Sequence, residues 1–426
     1  MPTTARLRRA PAFWLVATAL LLLMFAASAP SPLYVVYQAR WHFSSGILTT
    51  VFAVYALFLL LALLTVGGLS DFLGRKPVLI SSLLVEAASM VLFAEARSVG
   101  WLLVARAVQG VATGAATGTL AAALVDLQPV HGPGLGALVN GATSTLGLAV
   151  GAFGSGLLVQ YGPAPRILVF ALLLAGFLVT AAVLTWIPET AARRPGALAS
   201  LLPKARVPRQ ARKGFAAAAP ALIAVWALGG LYLSLAPSLV AGLLNATNHL
   251  VGGLVITTMT ASGTVSSIAL RGRQARPTLV FGSVALALGA LGMLAALGVH
   301  SLVLFFATTA LAGLGFGAAF LGTLSTVMPL AAPGERAELF ASLYVVSYLA
   351  MSLPAVAAGF AAPHLGLLLT AVIYGSTVSA LALVSLALIL TRRQSPPQTP
   401  TTPAATGASG PTGTSGTTVT PNQVTG

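Results

Sequence analysis

Between residues 11 and 390 the chain runs through twelve apolar stretches, each close to the ~20 residues that a helix needs to cross a bilayer. They fall near 11–36, 45–67, 77–95, 101–124, 134–158 and 166–187. A second set falls near 215–240, 250–270, 277–298, 301–326, 338–361 and 365–390. Their hydrophobicity is all-round, and lipid offers no partner to a free backbone N–H or C=O, so helix is the expected state. Turn chemistry separates them at Gly100, His131-Gly-Pro-Gly, Tyr161-Gly-Pro, Asn245 to His249, Ala332-Pro-Gly and Ala362-Pro-His. The fold class that follows is an all-α membrane protein with twelve transmembrane helices.

Charge usage supports lipid as the solvent. Only 7% of the 426 residues are charged and 57% are hydrophobic, with a mean hydropathy of +0.94. A soluble domain carries about 25% charged residues. Cysteine is absent, which excludes a disulfide framework, a zinc–thiolate site and a redox pair. The net charge of +15 would suit nucleic acid, but its distribution does not. Of 22 basic residues, eighteen fall on one side of the segmentation: Arg6, Arg8, Arg9, Arg75, Lys76, Arg193, Arg194, Lys204, Arg206, Arg209, Arg212, Lys213, Arg271, Arg273, Arg276, Arg336, Arg392 and Arg393. Three (Arg40, Arg97, Arg166) fall on the other, and Arg106 lies within a span. This is the positive-inside bias. It predicts a multi-pass protein of the cell's inner (plasma) membrane with both termini cytoplasmic, and no nucleic-acid partner. Residues 10–29 also fit a secretory signal ending in Ala-Ser-Ala, but the spans that follow favour a retained first helix.

The two sets are separated by 188–214, which carries seven basic residues and four prolines and cannot span. Its charge suits an anionic inner leaflet. The expected organisation is an N-terminal bundle over 1–187, this basic linker over 188–214, a C-terminal bundle over 215–393, and a disordered tail over 394–426. The tail has too little apolar content to fold. A weak internal repeat agrees: Arg271-Gly-Arg-Gln-Ala-Arg-Pro277 echoes Gly74-Arg-Lys-Pro77 without its aspartate, and Pro333–Ala337 corresponds to Pro129–Gly134.

Residues 67–77 read Gly-Gly-Leu-Ser-Asp-Phe-Leu-Gly-Arg-Lys-Pro. This stretch resembles the loop between the second and third helices of the major facilitator superfamily, at Gly67, Leu69, Asp71, Gly74, Arg75 and Lys76. Arg106-x-x-Gln109-Gly110 is similar to that family's fourth-helix signature, and Pro188-Glu-Thr190 to the tripeptide that often closes its sixth helix. Pro333 to Gly359, with Arg336, Tyr344, Tyr348 and Pro354, resembles the tenth–eleventh helix region of bacterial members. The resemblance covers roughly 10–393 and implies two pseudo-symmetric six-helix bundles around a midplane site. It implies a transporter of the efflux type, working by alternating access on a small-molecule substrate.

Physics gives several of these positions a reason. Gly67 and Gly74 permit close approach and a tight turn. Asp71 ends the second helix, where a carboxylate can meet the positive end of another; in the family that partner is the eleventh helix, here starting near Glu335 or Arg336. Asp126 matches a family position that pairs with the loop arginine, here Arg75. Two readings stand: an interdomain latch of Asp71, Arg75 and Asp126 that stabilises the outward-open state, or a loop kept only for topology. Arg106 lies about 7 Å into its span, where a charge normally faces protein or a wet cavity. It either clamps helices by pairing with Glu95, or lines the cavity, where Gln109 is a further candidate, and tunes a carboxylate or binds an anionic group.

Of seven acids, only Glu86 is deep in a span, which makes it the candidate proton carrier; the other reading is a local polar contact. The five histidines (His42, His131, His249, His300, His364) fall in expected loops. Gly147, Gly151, Gly154 and Gly156 line the fifth span, but Ala152 stands where the family's antiporters carry proline, which counts against antiport. Cavity candidates are mostly neutral. They are Tyr34, Gln38, Asn140, Thr143 and Ser144 before the linker, and Tyr232, Thr258, Ser262, Thr323, Tyr344, Ser347 and Tyr348 after it. Tyr344, Ser347, Tyr348 and Met351 share one helical face by spacing. A pocket of aromatics and hydroxyls suits neutral or amphipathic solutes, and the spans lack the carboxylates and imidazoles a metal wants.

The expectation is a proton-coupled exporter acting as a monomer, without cofactor. The alternatives are an uncoupled facilitator or importer of a neutral metabolite, and a non-transporting receptor. A membrane enzyme would need a nucleophile and base within the spans, and no such set is present. No phosphate-binding loop of the P-loop type occurs, so ATP is not the expected driver.

Overall fold

The structure, a computed structural model, describes residues 7–130, 134–203, 205–246 and 248–391. Arg6, His131, Lys204, Arg392, Arg393 and the 394–426 tail lie outside the described residues.

The described chain is helical. Before the linker come α1 (Arg9–Ser28), α2 (Pro30–Trp41), α3 (Ser45–Thr65), α4 (Ser70–Leu73), α5 (Arg75–Ala94), α6 (Val99–Leu127), α7 (Leu135–Tyr161) and α8 (Leu168–Leu184). After it come α9 (Arg212–Ser234), α10 (Ala236–Leu243), α11 (His249–Ala269), α12 (Ala275–Gly298), α13 (Leu302–Val327), α14 (Arg336–Leu365) and α15 (Leu367–Thr391). Among the described residues, eleven helices are long and apolar enough to cross a membrane, with α1 and α2 counted as one; α8 is apolar throughout but has 17 residues. Large apolar side chains such as Leu57, Val104, Leu172, Val303 and Leu353 are exposed, as a lipid-facing surface requires.

Local chemistry explains the helix ends. Ser44, Asn248 and Ser301 accept from the first-turn N–H groups of Ile47, Leu250 and Leu304. The first and seventh apolar stretches each divide in two. Pro30 and Pro237 lack the N–H that would continue the preceding helix, and α2 and α10 restart there with proline in their first turn. His249 opens α11 and His364 lies in the last turn of α14, so neither sits in a loop as expected.

Small residues set the packing. α12 and α13 are the most extensively packed pair. Gly282 and Gly289 of α12 face the backbones of Ala319 and Ala312, while Gly315 and Gly322 of α13 face those of Leu286 and Leu279. The seven-residue spacing on both helices places these glycines along one seam, and contact distances there leave no room for a Cβ. α7 is built the same way on two sides. Gly147 and Gly151 lie against Leu21, Met24 and Phe25 of α1, and Gly156 meets Gly253 of α11, where the Ala152 carbonyl also packs.

Contacts between the helices before and after the linker run the length of α7 and α11. Thr264 Oγ1 donates to Thr145 Oγ1 at 2.7 Å and, at the end near residues 67–77, Arg271 Nη2 donates to the Gly134 carbonyl at 2.9 Å. Others lie at the far end. Ser238 Oγ donates to Gln38 Oε1 at 3.3 Å between α10 and α2. The His249 N–H donates to Gln160 Oε1 at 2.8 Å between α11 and α7. Thr49 and Ser45 of α3 pack on Gly359 of α14, and Gly46 lies under Phe360.

The glycine seam is directly testable. Gly289→Leu should force α12 from α13 and destabilise the protein by roughly 1–3 kcal/mol. The check is the melting temperature in detergent, with exposed Val303→Leu as the control that leaves it unchanged.

Candidate functional site

Residues 67–77 form a hinge that depends on one backbone conformation. Gly74 has φ +98°, a region unfavourable to residues with a Cβ, and this lets the chain reverse from α4 into α5. The reversal presents the first N–H groups of α5 to a carboxylate. Glu189 takes that position: its oxygens accept from the N–H of Arg75 at 2.7 Å and of Lys76 at 3.1 Å. A carboxylate on a helix N-terminus satisfies unpaired donors and opposes the positive dipole end. The Lys76 ammonium donates to the carbonyls of Thr185 and Ile187 beyond α8.

Arg75 joins the remaining acids. Its guanidinium is ion-paired with Asp71, donates to Ser70 Oγ at 2.7 Å, and lies 3.4 Å from Asp126 Oδ2. The same Asp126 oxygen accepts from Thr190 Oγ1 at 3.0 Å. Asp71, Arg75 and Asp126 are therefore together, but all three precede the linker, so in this conformation they do not bridge the two sets of helices. The expected contact of Asp71 with the start of α14 is not made; its side chain is 59% exposed. The connection to α14 runs through the linker instead. The Arg194 N–H donates to the Phe72 carbonyl at 2.9 Å, and farther along Gln210 Nε2 donates to Glu335 Oε2 at 2.5 Å. Glu189 and Thr190 are thus members of the cluster beside Asp71, Arg75 and Asp126, the three that the latch reading names.

The second cluster is buried among α1, α2, α3, α5 and α6. Arg106 of α6 is fully buried. Its Nε and Nη2 donate to Tyr34 Oη at 2.9 and 2.5 Å, and Nη1 donates to Gln109 Oε1 at 2.7 Å and the Ala27 carbonyl at 3.2 Å. Gln109 passes the chain on: its Nε2 donates to Glu86 Oε1 at 3.2 Å and to the Ala26 carbonyl at 3.0 Å. Thr113 Oγ1 donates to Glu86 Oε2 at 3.4 Å. Guanidinium, amide and carboxyl form one hydrogen-bonded line, so that each buried charge has polar partners.

Aromatic rings complete the enclosure. The guanidinium carbon lies 5.1 Å from the Tyr55 ring centroid, 5.5 Å from Tyr34 and 5.7 Å from Phe93, within cation–π range. Gly110 makes the Tyr55 contact possible, because a Cβ there would lie 2.5 Å from the Tyr55 carbonyl and push α3 off α6.

The pairing of Arg106 with Glu95 is corrected by this geometry. Glu95 lies just beyond α5, with its side chain 62% exposed, and its ion pair is with Arg97 at 3.6 Å. Glu86 meets Arg106 only through Gln109. Residues 106, 109 and 113 recur at helical spacing on one face, the signal that could have found Thr113. Nothing local in the sequence marks Tyr55 as the lid.

The remaining cavity candidates divide. Gln38, Asn140, Thr143, Ser144, Thr258, Ser262, Tyr344 and Tyr348 are half-buried, while Ser347 and Thr323 are buried. Ser144 Oγ donates to the Asn140 carbonyl at 2.7 Å. Tyr232 is a correction: it is wholly buried, and its hydroxyl shares a 2.9 Å hydrogen bond with Thr309 Oγ1, joining α9 to α13. Tyr348 stacks on Tyr344, with centroids 6.0 Å apart, and leans on Trp226 of α9, which sequence reasoning passed over. Among the described residues no group of three or more His, Cys, Asp or Glu could hold a metal ion.

Comparison with known proteins agrees with this architecture. A POT family transporter solved in complex with 5-aminolevulinic acid superposes with a TM-score of 0.72 at 10% identity, covering 89% of this chain and 96% of that one. A bacterial homologue of the human lysosomal transporter Spinster, in an inward-facing and occupied conformation, gives 0.72 at 14% identity, covering 91% and 99%. A nucleoside transporter gives 0.68 at 12% identity, covering 88% and 98%. At these identities the likeness is one of fold. No curated protein matches the chain. The family described as Major Facilitator Superfamily matches residues 16–354. Matched from within α1 to the middle of α14, the chain belongs to the Major Facilitator Superfamily of membrane transporters.

Proposed function

We propose that the chain is a proton-coupled exporter of neutral or amphipathic compounds, working as a monomer in the plasma membrane with both termini cytoplasmic. Twelve spans form two six-helix bundles, over 1–187 and 215–393, with α8 as the sixth span and the 188–214 linker joining them. The observation that carries this reading is the buried line Glu86–Gln109–Arg106–Tyr34.

The coupling argument is electrostatic. With Glu86 ionised, the carboxylate and the Arg106 guanidinium sum to zero charge. Protonation of Glu86 leaves a net positive charge in a low-dielectric bundle, which is costly unless water reaches it. It also weakens the acceptor to which Gln109 Nε2 donates, and the Gln109 oxygen holds the guanidinium. Protonation therefore favours a conformation that opens the α3–α6 seam and wets Arg106, and deprotonation favours closure. Helix contacts away from the hinge seal the outer end in this conformation, while Asp71 stays free of α14. In the outward-open state Asp71 moves against the start of α14, and the Arg75–Asp126–Glu189 cluster, held by the linker, transmits that closure.

Transport in inside-out vesicles with and without an imposed proton gradient tests the central reading. The gradient should stimulate substrate accumulation. Glu86→Gln should abolish the stimulation while leaving substrate exchange, and Arg106→Ala should reduce gradient-driven transport by at least about tenfold, as expected for losing several charge-assisted hydrogen bonds. Equal transport with and without the gradient would instead select an uncoupled facilitator, and no transport of any compound would select a receptor.

The gate is tested separately. Because the chain has no cysteine, a single Asn140→Cys reporter can be labelled without background. Asp71→Asn should raise its labelling from the cytoplasmic side severalfold; unchanged labelling would eliminate the gate.

A further inference from the structure

Trp226 stands at the seam between α3 and the later helices with its polar atom left over. Its indole nitrogen is buried and has no protein acceptor within reach. A buried donor without an acceptor loses its hydration without return, so such groups are rare and call for a reason. Indole N–H donates only, so its missing partner must present a lone pair.

The surroundings state the rest of that partner's chemistry. The Phe320 centroid lies 5.7 Å from that of Trp226, the two planes at 85°, and Tyr348 lies 5.7 Å away at 44°. Phe316 closes a third side at 6.2 Å. Across the seam, Phe52 and Ala56 of α3 share an apolar cluster with Met351, against which Trp226 and Tyr348 pack. Such walls favour flat, polarisable rings that meet aromatic edges and faces. The rings themselves carry no charge, and burying a cation among them without a counter-ion is costly. The Arg106 guanidinium over Tyr55 of α3 is already balanced by Glu86.

We infer that Trp226, Phe320 and Tyr348 form a subsite for a neutral planar aromatic compound that presents a ring nitrogen or carbonyl oxygen to Trp226 Nε1. This rests on the exporter reading and names the class of compound its cavity takes. It also explains why the aromatics cluster on α9, α13 and α14 while the charged groups lie on α5 and α6. Rings recognise the substrate on one side of the seam, and the proton is held on the other.

Acridine and anthracene are matched in shape, and only acridine carries an acceptor nitrogen. The full chain in lipid nanodiscs is titrated with each, read by the polarisation of the ligand's own fluorescence and corrected with empty nanodiscs. At neutral pH acridine should bind about tenfold more tightly than anthracene, the usual effect of one buried hydrogen bond. Trp226→Phe keeps a ring and removes the N–H, so it should erase that preference while anthracene still binds. Phe320→Ala should weaken both ligands and keep the preference. N-methylacridinium, a permanent cation, should bind more weakly than acridine. Equal binding of acridine and anthracene, a preference that survives Trp226→Phe, or tighter binding of the cation would each overturn the subsite. Binding is read without any gradient. Its failure would leave the vesicle result standing, and a failure of gradient-driven transport would leave the binding result standing.

Discussion

Arg106 puts a full positive charge inside a helix bundle, where an isolated ion costs several kcal/mol even after local relaxation. Most of the architecture on the amino-terminal side answers that cost. α6 must carry Gln109 and Thr113 on the same face, α5 must bring Glu86 opposite them, and the chain at Ala26 and Ala27 must offer its carbonyls. α3 must come close enough for Tyr55 to cover the guanidinium, which is why residue 110 has no side chain. These requirements fix helix register as well as helix position. A slip of one residue on α6 would rotate the charge by about 100° toward neighbours that cannot hold it.

The hinge solves a different problem with related means. Its charges sit at the membrane surface, where single ion pairs contribute little. What gives the cluster its reach is connectivity: Glu189 caps α5, Thr190 meets Asp126, and the linker goes on to Phe72 and then to Glu335. The 67–77 hinge is thereby connected to the start of α14 through the linker. The hinge residues Asp71, Arg75 and Asp126 lie together in this conformation, with Glu189 on the start of α5 beside them.

Much of this molecule was legible before any coordinates. All-round apolar runs force helices in lipid, and Pro30 and Pro237 mark breaks inside two of them. Glu86 was identifiable as the deep acid by elimination, since the other acids lie near span ends. The Glu95 reading failed for a physical reason. Depth along a span does not say which way a side chain points, and Glu95, just past the last turn of α5, turns outward to Arg97. Tyr232 failed for the converse reason: a hydroxyl in a span serves a neighbouring helix as readily as a cavity, and Thr309 claims it.

The sequence by itself determined the solvent, the helical state, the repeated apolar helices and the presence of one arginine and one acid deep within them. Hydrophobicity and backbone hydrogen bonding are local properties, and a single chain displays them in order. Tertiary structure alone decided that Gln109 stands between Arg106 and Glu86, that Glu189 belongs to the hinge, and that Trp226 is left without an acceptor. Those facts depend on helices distant in sequence meeting at particular rotations. Packing geometry sets those rotations, through glycine seams and ring contacts whose partners lie tens to hundreds of residues away.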